Sequence, residues 1–146
     1  MSSKLSIAFI GLDSSHCTAF TDLLRAKGDP ILASAAVTVG WPGGSSDFPM
    51  SRDRVEGFTS EMRDRGVRIA ESPEDAASSA DAIILGCVDG RQHLEIARRL
   101  MPFQKPMFVD KPLAQDFATA RLLAKELDAA GVPWFSSSAL RFQEPL

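Results

Sequence analysis

Tyrosine is absent from the 146 residues, and histidine and cysteine occur only twice each. Cys17 and Cys87 lie far apart, without Cys-x-x-Cys spacing. That excludes a disulfide-stapled scaffold and points to buried or half-buried thiols in a reducing compartment, with a bridge between them disfavoured. Together with His16 they make three candidate metal ligands, but no fourth is evident, so no metal is expected. Charge of one sign is also lacking: 16 basic against 19 acidic residues give a net −3. This provides no electrostatic footprint for nucleic acid or an anionic membrane surface. No apolar run is long enough to span a bilayer, and Met1-Ser-Ser-Lys4 leads into a strand-like segment rather than a signal peptide, so a cytoplasmic protein is expected. Repeats, low-complexity tracts and charge blocks are missing.

What is present is a chain 45% hydrophobic and 24% charged, long enough for one domain with a real core. Its pattern alternates strand and helix. Leu5–Ile10 is a short apolar run closed by Gly11. Ser14 or Ser15 caps a helix through about Lys27, with Cys17, Phe20 and Leu24 as its stripe and Gly28 as its stop. Residues 35–39 read as a second strand, followed by the loop Trp41-Pro-Gly-Gly-Ser-Ser46. Ser51 is predicted to cap a helix over 52–65, ended by Gly66, before a short strand over 67–70. Ser72-Pro-Glu-Asp75 combines a hydroxyl cap, a proline at the first helical position and acids in the first turn. The continuous apolar run 82–88 fits a central strand covered on both faces. A helix over 91–101, a strand over 107–109, a helix over 116–130 striped by Phe117, Ala120, Leu123, Ala124, Leu127 and Ala130, and a strand over 134–138 complete the series.

Such alternation predicts an α/β fold: a Rossmann-like, doubly wound parallel sheet in three layers, with ligands outside the carboxyl ends of its strands. The chemistry-bearing residues fall there. The first turn, Gly11-Leu-Asp-Ser-Ser-His16, keeps only the first glycine of the dinucleotide fingerprint Gly-x-Gly-x-x-Gly. Asp13 takes the second position and is repulsive to a pyrophosphate unless it points away. His16 takes the third, as a ligand contact or merely as a helix-start residue. Ser14 and Ser15 offer hydroxyls and amides to an oxyanion. After the second strand, either Asp47 grips a ribose, or Ser45, Ser46 and Arg52 accept a 2′-phosphate, or the loop binds nothing. Asp89 ends the long apolar strand. His93 opens the next helix, facing the cleft or capping. Pro106-Met-Phe-Val-Asp-Lys-Pro-Leu-Ala114 places Asp110 and Lys111 where a buried strand emerges, and Pro112 turns the backbone there. That pair is either a surface ion pair or a lysine poised to handle protons.

His93-Leu-Glu-Ile-Ala97, followed by Phe108-Val-Asp-Lys-Pro-Leu-Ala114, resembles the N-terminal domain of the Gfo/Idh/MocA oxidoreductases, and the likeness runs from Lys4 to about Phe142. Asp110 stands where that family carries glutamate in its Glu-Lys-Pro motif. The resemblance implies a Rossmann-type domain binding NAD or NADP, and oxidation or reduction of a sugar, polyol or similar small hydroxy compound. It implies Lys111 as catalytic, oriented by Asp110, with Pro112 fixing a turn whose peptide is often cis. The cofactor contacts then fall among Gly11, Asp13, Ser14, Ser15, His16, Ser45, Asp89, His93 and Pro112. Residues 1–146 correspond to the nucleotide-binding domain alone. The family's substrate domain is absent from this chain, which would be inactive by itself. The degenerate glycine motif also leaves a non-catalytic nucleotide- or ligand-binding module open, and self-association is left open too. A receiver-like domain needs paired acids after its first strand, which Asp13 alone does not supply.

Overall fold

Short apolar runs in this chain, separated by helical segments, become the strands of one sheet. The computed structural model describes residues 4–26 and 28–142. Its strands are β1 (Leu5–Ile10), β2 (Ala35–Trp41), β3 (Arg68–Ile69), β4 (Ala82–Leu85), β5 (Met107–Val109) and β6 (Trp134–Ser136). All five pairings are parallel and the order is β3-β2-β1-β4-β5-β6. This is the doubly wound Rossmann order, with its switch point between β1 and β4.

The helices are α1 (His16–Leu23), α2 (Pro49–Arg52), α3 (Val55–Asp64), α4 (Pro73–Ser78), α5 (His93–Leu100) and α6 (Phe117–Ala129). Two begin at a side-chain cap, and Ser72 is the one the sequence predicts. The Ser72 hydroxyl accepts the Asp75 N–H at 3.0 Å, and Asp116 accepts the Thr119 N–H at 2.8 Å. The helix expected over 52–65 is instead two, α2 and α3. Ser51 caps neither of them: it lies inside α2, and its hydroxyl is drawn to Asp13 and to the Ser45 N–H. The first helix stops at Leu23, short of Lys27, which lies outside the described residues. The strand expected over 82–88 ends at Leu85, because the backbone beyond it bends to meet the first turn. Phe117 is not part of the buried stripe of α6; standing at the first helical position, it is 78% exposed.

Strand alternation sorts the core into two layers. Ala8, Ile10, Ile83, Leu85, Met107 and Val109 pack with Ala76, Ala77, Ile96, Ala97, Leu100, Leu123 and Leu127 from α4, α5 and α6. Phe9 turns the other way, onto Cys17 and Met62 from α1 and α3. A bulge serves this division: Ile7 pairs with Val37 and Ala8 with Val39, so Thr38 is left over and the two valines join opposite layers. The second layer is incomplete. α1 and α3 pack beside one another over the β1–β3 half, while Ile84, Phe108 and Phe135 align across β4, β5 and β6 as an apolar row. Phe135 at the end of that row is 64% exposed.

Candidate cofactor and active site

Gly11 brings the first turn against β4. Its φ is +95°, and a Cβ there would lie 2.6 Å from the Cys87 sulfur and 2.7 Å from Cys87 Cα. Only glycine allows that approach. Asp13 is fully buried: its carboxylate accepts the Val88 N–H at 2.9 Å and the Ser51 hydroxyl at 2.6 Å. The acid in the second fingerprint position therefore points into the protein, away from the helix start. Its own carbonyl accepts Arg54 at 2.8 Å. Ser15 precedes α1 without a side-chain capping bond and is exposed, and Ser14 is half-buried beside it. These two serines sit at the N-terminal end of α1, where helix amides and dipole favour an anion.

The loop after β2 crosses the end of β1 and docks on the loop after β4. Gly11 and Leu12 donate their N–H groups to the carbonyls of Trp41 and Pro42 at 2.9 and 2.8 Å. Ser45 is buried and its hydroxyl donates to Asp89 at 2.5 Å. Arg91 binds Asp89 at 2.7 Å and Asp47 at 2.9 Å, and the Gln92 amide donates to the Gly44 carbonyl at 3.0 Å. The Arg91 guanidinium beside Asp89 holds that carboxyl down at about 2, helped by the Ser45 hydroxyl and opposed by burial. Asp47, Ser45 and Asp89 are thus tied to one another through the protein's own groups. Arg52, the other candidate here, pairs with Asp53.

His93 does not face the cleft. It is fully buried, with Nε2 on the Cys87 carbonyl at 2.9 Å and Nδ1 on the Leu113 carbonyl at 3.2 Å. Burial lowers its pKa from the ordinary histidine value, against the pull of the two carbonyls. Its role here is to tie the loop carrying Lys111 to the end of β4. Gly90 completes that seam, since a Cβ there would come within 2.9 Å of Pro112. The Lys111–Pro112 peptide is cis and Pro112 is exposed.

Asp110 is buried at the end of β5. It does not orient the Lys111 ammonium. One carboxylate oxygen accepts the Lys111 backbone N–H at 2.8 Å, and the other meets Nδ1 of His16. Lys111 itself is exposed and belongs to no ion pair among the described residues. The His16 ring stacks on Phe20, with centroids 5.0 Å apart. A cavity of about 250 Å³ opens there, walled by Phe20, Phe108 and Phe135 and edged by Ser137 and Ser138.

Of the candidates, the fold gathers Gly11, Ser14, Ser15, His16, Asp110 and Lys111 along the carboxyl edge, and turns Asp13, Ser45, Asp89 and His93 inward. Sequence reasoning missed Ser51, Arg54 and Arg91, which hold those inward groups. Arg91 carried the one available signal: a cation between two acids, Asp47 and Asp89, on loops that the predicted sheet order makes neighbours.

No family profile and no curated protein matches the sequence. Solved structures do. An oxidoreductase from Agrobacterium radiobacter in complex with NAD+, L-tartaric acid and magnesium is 14% identical, with TM-score 0.71, over 97% of this chain and 37% of its own. Biliverdin reductase from Synechocystis, in complex with biliverdin and NADP+, is 16% identical, with TM-score 0.65, over 91% and 37%. The dehydrogenase MviM from Clostridium difficile is 20% identical, with TM-score 0.63, over 91% and 39%. The neighbours are NAD(P)-binding oxidoreductases, and the likeness shows the fold. The chain spans little more than a third of each of these structures. Among the described residues no helix is long and apolar enough to cross a membrane.

Proposed function

We propose that this chain is the cofactor-binding domain of an NAD(P)-dependent oxidoreductase of the Gfo/Idh/MocA type, acting on a sugar, polyol or similar small hydroxy compound. The observation that carries the reading is the Asp110-Lys111-Pro112 loop at the carboxyl end of β5, beside the β1/β4 switch point. The residues present fit the dinucleotide at the first turn. Gly11, at φ +95°, makes the tight turn that ends β1, α1 begins just beyond it, and the Asp13 charge is turned away. Ser14 and Ser15 would hold the pyrophosphate there. When bound, the nicotinamide would supply the two-electron hydride chemistry. Lys111 would polarise the substrate oxygen, as an unpaired ammonium can.

Calorimetric titration of the chain with NAD+, NADH, NADP+ and NADPH tests the reading. Saturable binding of one pair below millimolar is expected, and no binding of any of the four at millimolar concentration removes it. Lys111→Ala is expected to leave that binding within about twofold, because the side chain is exposed and makes no ion pair among the described residues. In a full-length enzyme the same change is expected to abolish turnover.

A second reading, a binding module without hydride transfer, is favoured by the Ser45–Asp89–Arg91–Asp47 clasp. Those carboxylates would have to exchange Arg91 for ribose hydroxyls before gripping an adenosine. On this reading a nucleotide or sugar phosphate binds in place of an intact dinucleotide.

A further inference from the structure

We propose that His16, oriented by Asp110, is the group that exchanges a proton with the substrate hydroxyl while Lys111 polarises the oxygen. The inference rests on the oxidoreductase reading and assigns the proton within it. Asp110 presents one carboxylate oxygen to Nδ1 of His16, and its other oxygen is fixed by the Lys111 backbone N–H at 2.8 Å. Between an ionised Asp110 and a neutral imidazole, Nδ1 carries the hydrogen and the Nε2 lone pair is the free one. Nε2 has no partner among the described residues, and the side chain keeps 25% of its surface exposed. It borders the 250 Å³ cavity walled by Phe20, Phe108 and Phe135 and edged by Ser137 and Ser138.

Such a pocket suits a small molecule with an apolar carbon face and a hydroxyl directed at the imidazole. In the oxidative direction the O–H proton passes to Nε2, and the electron pair of the adjacent C–H bond leaves as the hydride that a nicotinamide dinucleotide accepts. The carbon becomes a carbonyl, and the charge formed on the ring lies against Asp110. Asp110 is a positioning residue in this scheme, and Lys111 keeps the role of polarising the substrate oxygen.

The proposal predicts a tautomer and a reactivity, both measurable on the chain without cofactor. Two-bond proton–nitrogen NMR of the two histidines is expected to show His16 with hydrogen on Nδ1. Diethylpyrocarbonate is expected to acylate one histidine, His16, while fully buried His93 stays intact. Asp110→Asn is expected to scramble the His16 tautomer and slow its acylation about tenfold or more, the factor carried by a lost hydrogen bond to a charged group. Asp110→Glu is expected to restore part of both. Melting by circular dichroism checks that each variant is folded. If Asp110→Asn does not fold, the wild-type tautomer decides. A wild-type His16 with hydrogen on Nε2, or acylation of folded Asp110→Asn at the wild-type rate, would overturn the assignment even where NAD(P) binds. Failure of all four dinucleotides to bind, with His16 tautomer and acylation as expected, would overturn the oxidoreductase reading and leave the dyad standing.

Discussion

The carboxyl edge of the sheet has two halves that treat polar groups in opposite ways. Around β1, β2 and the loop after β4, Asp13, Ser51, Ser45, Asp89, Arg91 and Asp47 answer one another's hydrogen bonds, and four of the six are buried. Around β5 and β6, Lys111 and Nε2 of His16 have no partner among the described residues, and Phe108 and Phe135 wall a cavity. Satisfied buried polar groups stabilise and rigidify, whereas unsatisfied groups at a surface remain available to bind. On this comparison the first half holds the crevice in shape and the second is where chemistry would occur.

If the division is right, substitutions should separate by side. Asp13→Ala leaves the Val88 N–H and the Ser51 hydroxyl without their acceptor, so a loss of about 3 kcal/mol is expected in urea unfolding. A loss under about 1 kcal/mol would mean that the buried carboxylate is not structural. Arg91→Ala strips the buried Asp89 carboxylate of its cation and should lower stability at pH 7, by less than Asp13→Ala does. The folded Asp89 carboxyl, at about 2, lies below its unfolded value, so its contribution is complete above about pH 3.9 and is lost as pH falls from there toward 2. The gap between wild type and Arg91→Ala should therefore close over that window, and a gap constant with pH would dissociate Arg91 from Asp89.

Alkali probes the layers beneath. Burial raises the Cys17 thiol to about 12 and pushes Cys87 the same way, and both are free cysteines. The unfolded chain then releases these protons first, so stability is complete below about pH 8.5 and declines as pH rises from there toward 12. Replacing both with alanine should flatten that decline, and an unchanged slope would place its origin elsewhere. The smallest effect belongs to the open half: Phe135→Ser, at a residue 64% exposed, should change stability by less than about 1 kcal/mol. A loss matching that of Asp13→Ala would erase the distinction between the halves.

Strand order, the Gly11 turn and the placement of Asp110-Lys111-Pro112 were legible because each depends on local pattern plus a general rule of winding. The Ser72 cap was legible for the same reason. Side-chain direction was not. Nothing local to Asp13 says that its carboxylate turns inward, since that depends on the Val88 amide and the Ser51 hydroxyl arriving from elsewhere in the chain. The meeting of His16 with Asp110 joins residues 94 positions apart, and it is set by where α1 starts relative to β5. Phe117 misled because a helical stripe does not reveal which of its positions projects past the sheet.

Gly90 bears on how the lysine is carried. The strand-end loops before α5 and after β5 touch where a single methyl group would strike Pro112 at 2.9 Å and the Ala114 backbone at 3.0 Å. They are registered by a missing carbon atom, like two gears meshed at a gap in one tooth. A side chain at position 90 would part the two loops, and with them Lys111 from Asp89.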